Sequence, residues 1–250
     1  PLIMAGFVTT FVLFFGAEIY AKMLIKDVRD KGVFVQGVFR SNMAIISLSV
    51  ATNAYGAVGT SVGAVYMGIL TILYNILSII TLSRTSQSKG LSAQSRDIII
   101  KIFQNPLIIA LVSAFMYKGV GLPLPPTPIA KTGELLSNIA LPLALICAGA
   151  TLDIKSMLGL SGVSMQASIG RIIVAPLLAV GVGVAFALPP VQFGVLFVMV
   201  ASPAAAASYV MAKAMGSNDV LAANILAFTT VVSMIGMAVG MAWLRVLGWV

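Results

Sequence analysis

The stretch from Val33 to Gly56, VFVQGVFRSNMAIISLSVATNAYG, is apolar and long enough to cross a membrane, yet Ser41-Asn42 in its middle is written as a helix start. A side-chain oxygen at such a position caps the unpaired amides of a first turn, and Ser and Asn are among the residues preferred for it. A second signal of this kind lies at Ser202-Pro203, inside the run Val191 to Met215, where Pro suits the first helical position. Lipid offers no partner to exposed peptide groups, so a break at membrane depth is stable only when packed in protein or lining a cavity. Two broken, crossing helices are therefore expected.

Composition places the rest of the chain in the same setting. Of 250 residues, 60% are hydrophobic and 9% charged, with a mean hydropathy of +1.07, against about a quarter charged in soluble domains. The expected class is an all-α, multi-pass membrane protein. At roughly 20 apolar residues per crossing, eight spans are visible: Pro1 to Ala21, Val33 to Tyr55, Val62 to Leu82, Ile98 to Tyr117, Gly133 to Leu152, Val163 to Leu188, Val191 to Met215 and Val220 to Leu247. The opening Pro-Leu-Ile-Met-Ala-Gly has no basic lead-in and is expected to be entered partway through a longer chain.

Charge orients the spans. With the first ending in the cytoplasm, twelve Lys and Arg fall inside and three, Lys118, Lys131 and Arg245, outside, which satisfies the positive-inside rule. The net charge of +8 is thus explained by topology, and no nucleic-acid partner is expected. The polar connection Ser83 to Asp97 reads as a cytoplasmic loop between two halves, and the Pro-rich segment Gly119 to Pro128 as a stiff outer turn.

Chemistry is limited by what is missing. There is no His, which removes His-based triads, general bases and metal sites, and the one cysteine, Cys147, lies in an apolar run. The seven carboxylates all fall near span ends or in loops, which disfavours both an intramembrane enzyme and a cation–proton antiporter. No cofactor, no metal site and no enzymatic activity are expected.

Asn42 is followed by Gly56 fourteen residues on, and Pro203 by Gly216 thirteen residues on. The two broken spans are five apart, so equivalent segments run in opposite directions, the mark of an inverted-topology repeat with substrate held where the breaks meet. Half-helix N-termini carry partial positive charge and bind anions, so two of them favour a carboxylate. Ser41 and Asn42 would cap one end, Ser202 the other, and Pro203 enforces its break by lacking an amide proton. Ser47, Ser49 and Ser208 lie within two turns of the breaks, where substrate contact and helix packing are both open readings. Arg40 supplies a full positive charge to an anion or snorkels to the surface along a short half-helix. Arg171 is close enough to the cytoplasmic side to snorkel and is read as structural, whereas Asn75 is read as functional or as an interhelical bond. The GxxxG pairs Gly59/Gly63 and Gly236/Gly240 read as packing features.

These residues carry a resemblance. Arg40-Ser41-Asn42 through Tyr55-Gly56, Tyr74-Asn75, Leu141-Pro142-Leu143 with Gly149 and Leu152, Arg171 with Pro176, Ser202-Pro203 through Ala212, Asp219, Leu221-Ala222-Ala223 and Thr229-Thr230 resemble, in order, the auxin efflux carrier family. That family includes PIN-type auxin exporters and malonate or other dicarboxylate permeases, and is distantly similar to the bile acid sodium symporter fold. The resemblance implies ten spans in two inverted repeats, of which the visible eight are the third to tenth. It divides the chain into 1–86, the rest of a first repeat, 87–97, a cytoplasmic connection, and 98–250, a second repeat. The chain departs from the pattern at Ser47-Leu48-Ser49, where many members carry Gly-x-Pro.

The expectation is a secondary transporter for a small organic anion in the cytoplasmic membrane, working by alternating access. Its compatible partners are the lipid bilayer, a coupling ion (proton or sodium) and a second copy of the chain. The rival readings are sodium-coupled symport of the bile acid type and a non-transporting membrane sensor on the same scaffold.

Overall fold

A computed structural model describes residues 1–86, 106–121, 123, 126–150 and 162–250. The order is α1 (Leu2–Leu24), α2 (Val28–Phe39), α3 (Met43–Leu82), a 3-10 turn (Ser83–Ser86), α4 (Pro106–Gly119), α5 (Thr127–Ala150), α6 (Val163–Ala185), α7 (Pro190–Ala201), α8 (Ala206–Ala214) and α9 (Asp219–Val246). Among the described residues there are helices and one isolated two-residue bridge, and no strands. Among the described residues four helices, α1, α3, α6 and α9, are long and apolar enough to cross a membrane. The loop expected at 87–97, and parts of the spans expected at Ile98 to Tyr117 and Gly133 to Leu152, lie outside the described residues.

The run Val33 to Tyr55 is not one helix. Its first part is α2, which begins earlier than expected because Asp27 caps it by accepting the Arg29 N–H at 2.8 Å. Its second part is the first limb of α3, opened by a π-helical turn over Met43–Ser47. The run Val191 to Met215 likewise divides into α7 and α8.

Burial explains why these pieces sit at the centre. Every residue from Gly32 to Phe39 in α2 is buried, and so is every residue from Phe193 to Ala201 in α7. A helical stretch with no solvent face belongs in a core, and Gln36 is the one polar side chain in these two. The outer helices α1 and α9 pack on them with one side and leave Phe11, Phe15, Ile19, Val231, Ile235 and Val239 exposed on the other. Exposed apolar surface of that kind suits contact with acyl chains.

Polar contacts fasten one end of the bundle. Asn218 caps α9 by accepting the Leu221 N–H at 3.0 Å, and its amide donates to Asp30 at 2.8 Å. Glu18 of α1 accepts from Thr81 at 2.7 Å and pairs with Arg84. The α1–α2 connection, the end of α3 and the α8–α9 connection therefore share an end.

Gly56 separates the two limbs of α3, with φ 59° and ψ −144°. A Cβ is heavily penalised in that region, at about 1–3 kcal/mol. Gly56→Ala is expected to lower the thermal unfolding midpoint in detergent by several degrees, and an unchanged midpoint would remove the turn from the list of structural constraints. Three of the four GxxxG glycines mark close approaches: a side chain at Gly59 would meet the Ala51 carbonyl, at Gly63 the Met199 Cε at 2.8 Å, and at Gly240 the Phe197 ring. Among the described residues nothing lies within reach of a side chain at Gly236, which corrects the packing role expected there.

Candidate functional site

Pro203 dictates one break directly. It has no N–H to donate and disfavours helical geometry in the residue before it, and Ser202 is accordingly extended at φ −64° and ψ 157°. No such breaker exists at residues 40–42, where Arg40 leaves the helix at φ −88° and ψ 101°. What stabilises that break is the other one. Ser41 and Ala204 face each other in an antiparallel bridge, the Asn42 N–H donates to the Pro203 carbonyl at 2.9 Å, and the Ala205 N–H donates to the Arg40 carbonyl at 3.1 Å. The Ala204 N–H, pointing away from this pairing, donates to the Thr229 hydroxyl of α9 at 3.1 Å. Each unwound segment thus supplies the hydrogen bonds that the other lost, which a buried backbone requires.

Beyond the crossing, α3 and α8 both start at it. The first intrahelical bond of α3 is Ser47 N–H to the Asn42 carbonyl at 3.3 Å, so the amides of residues 43–46 precede any helical partner. A cavity of about 460 Å³ is lined by Arg40–Asn42, the first residues of α3, Thr71, Tyr74 and Asn75 of its second limb, Ala114 of α4, and Ala205–Ala207 at the start of α8. Its volume lies in the range of small-molecule sites. Both half-helix N-termini therefore border one hollow.

Arg40 is the dominant charge there. The side chain is 4% exposed, so the snorkelling alternative is corrected. Its guanidinium donates to Asn75 Oδ1 at 2.6 Å, to the Ser78 hydroxyl at 2.9 Å and to the Met211 sulfur at 2.7 Å. All three acceptors are neutral. The ion pairs among the described residues lie elsewhere, at Arg84–Glu18 and Lys131–Glu134. A buried cation without a countercharge is costly, and this one borders the cavity.

The structure redistributes the other expected residues. Ser41 and Asn42 line the cavity with Arg40. Neither α3 nor α8 has a side-chain cap, which corrects the capping roles expected of Ser41, Asn42 and Ser202. The Ser41 hydroxyl shares a hydrogen bond with the Tyr74 hydroxyl at 3.3 Å, and the Asn42 side chain makes no hydrogen bond among the described residues. Ser202 ends α7 and turns back toward the Met199 carbonyl at 3.5 Å. Pro203 is not the first residue of a helix, since α8 begins at Ala206; its carbonyl serves the bridge instead. Ser47 is buried and bonds the Asn42 carbonyl at 3.3 Å, Ser49 is exposed and bonds the Ile45 carbonyl at 2.7 Å, and Ser208 is buried with a hydroxyl that has no partner among the described residues. None of these five residues borders the cavity.

Sequence reading passed over Ser78, Thr71 and Met211 as site residues. Ser78 had a usable signal, because it lies three residues after Asn75 and so on the same helical face. Asn75 itself joins α2 to α3 through Arg40 and also lines the cavity. Arg171 does not snorkel: it is 0% exposed inside the π-helical turn Gly170–Val174 of α6.

A family model described as membrane transport protein matches residues 1–241. No curated protein matches the chain.

Proposed function

From the premise that the chain belongs to this membrane transport protein family, the one its sequence resembles, we propose that it is a secondary transporter that carries a small organic anion across the cytoplasmic membrane by alternating access. In this reading residues 1–86 and 98–250 belong to two inverted repeats joined through 87–97, with eight of ten spans in the chain. The antiparallel sense of the Ser41–Ala204 bridge supports it, because equivalent breaks in inverted repeats cross in opposite directions.

The observation that carries the substrate class is Arg40, buried beside the cavity on neutral partners alone. A carboxylate entering the cavity gains a charge-assisted hydrogen bond from the guanidinium, the free amide of Asn42, and the positive poles of α3 and α8. Little of the remaining lining is polar, so the organic body of the substrate rests on Ala44, Ile45, Ala206 and Ala207. Alternating access follows if the inner pieces rock while the crossing holds the anion, with a proton or sodium ion as the coupling partner.

The test is uptake of radiolabelled monocarboxylates and dicarboxylates into proteoliposomes containing the full-length protein, with and without a sodium gradient. At least one acid is expected to accumulate, and Asn42→Ala is expected to reduce its uptake about tenfold, the worth of one hydrogen bond to a charged group. Binding of acids without movement would favour the sensor, and strict sodium dependence the bile acid type of symport. Full activity of Asn42→Ala would take that side chain out of the site.

A further inference from the structure

The crossing brings together poles of both signs. The N-termini of α3 and α8 are positive and attract an anion, whereas α2 and α7 end there with their negative poles, which repel it. The first of these negative poles has a partner. In an uninterrupted helix the Val38 carbonyl would accept the Asn42 N–H, but that N–H has turned to Pro203. In its place the Arg171 guanidinium of α6 donates Nη1–H to the Val38 carbonyl at 2.9 Å. Arg171 is wholly buried, and its Nε and Nη2 have no hydrogen-bond partner among the described residues. Gly170 lets α6 come this close, since a Cβ there would meet Val38 Cγ2 at 2.9 Å.

We propose that Arg171 is a positioning residue of the transport site: it replaces the amide that Val38 loses and neutralises the negative end of α2, and so keeps the first helix broken in the presence of an anion. Cationic side chains stabilise helix C-termini in this way, most strongly when shielded from water. Without the cation, the Asn42 N–H is drawn back to Val38 and the crossing is depopulated. The inference rests on the reading above in one respect only, that substrate occupies the crossing.

The test compares Arg171→Met and Arg171→Lys in the full-length protein. Substrate binds only the open crossing, so apparent affinity falls with the population of that state. Arg171→Met is expected to raise KM for the acid identified above about tenfold, with maximal rate recovering at saturation, and Arg171→Lys to restore KM to within about threefold. A second arm needs no substrate. In a cysteine-free background, Ser41→Cys with Ala204→Cys places two thiols on facing residues whose Cα atoms lie about 4.5 Å apart in such a pair, within reach of a disulfide. Oxidant-driven cross-linking is expected to be rapid with Arg or Lys at 171 and about tenfold slower with Met. Unchanged KM and cross-linking in Arg171→Met, or a Lys variant as impaired as the Met variant, would overturn the assignment. Normal transport by Arg40 and Asn42 variants, with cross-linking still dependent on residue 171, would instead overturn the substrate site and leave the role of Arg171 standing.

Discussion

Arg40→Met is expected to lower transport, measured as maximal rate over KM, by at least about 30-fold while leaving the protein folded. Truncating one member of a buried charge pair costs about 2–5 kcal/mol, and in the proposed function the substrate anion is the second member. Stability should move differently. Arg40 has only neutral partners, so Met relieves the burial of an unpaired cation, while Asn75 and Ser78 each lose a donor. These effects oppose one another at about 1–3 kcal/mol each, and the unfolding midpoint is expected to stay within a few degrees of the parent. Arg40→Lys keeps the charge without the fork that reaches both Asn75 and Ser78, and should retain intermediate transport. A Met variant that transports normally would show that the cation acts on the fold and not on the cargo.

Thr229→Val is expected to give the largest loss of stability at the crossing. Its hydroxyl accepts the Ala204 N–H at 3.1 Å and donates to the Ile225 carbonyl at 2.7 Å. Val keeps the shape but leaves the Ala204 N–H buried without a partner, a penalty of about 1–3 kcal/mol. The Ile225 carbonyl lies in a helix and loses only an auxiliary bond. Thr229→Ser keeps the acceptor and gives up one buried methyl, and is expected to remain within about 1 kcal/mol of the parent. Denaturant or thermal unfolding in detergent separates the two, and equal midpoints for Val and Ser would show that the hydroxyl carries no structural weight.

The sequence located both interruptions but misread what completes them. Pro203 acts on its own neighbours, so a local reading of residues 202–203 places a break correctly. At Arg40-Ser41-Asn42 the same local reading assigned capping to side chains, whereas the amides are satisfied by peptide groups some 160 positions away. No periodicity in one segment encodes a partner at that distance. Arg40 and Asn75 were legible as charged and polar residues within spans, but whether Arg40 reached the surface depended on Ser78 and Met211 closing over it from two other helices. Arg171 illustrates the same limit. Its depth along the span is visible in sequence, and the face it presents is not, so its bond to Val38 had no antecedent in the pattern. Gly56, by contrast, was marked by its spacing from the break and sits at a positive φ.

The bonds that pair Ser41 with Ala204 run wholly between main-chain atoms, the N–H groups of Asn42 and Ala205 and the carbonyls of Pro203 and Arg40, so no side chain is needed to form them. Architecture and selectivity are thereby uncoupled at the heart of the protein. In the proposed function, residues 41, 42 and 205–207 can be exchanged to suit a longer or bulkier cargo while the framework beneath them stays intact, which makes this junction a natural place to retune the carrier for a new solute.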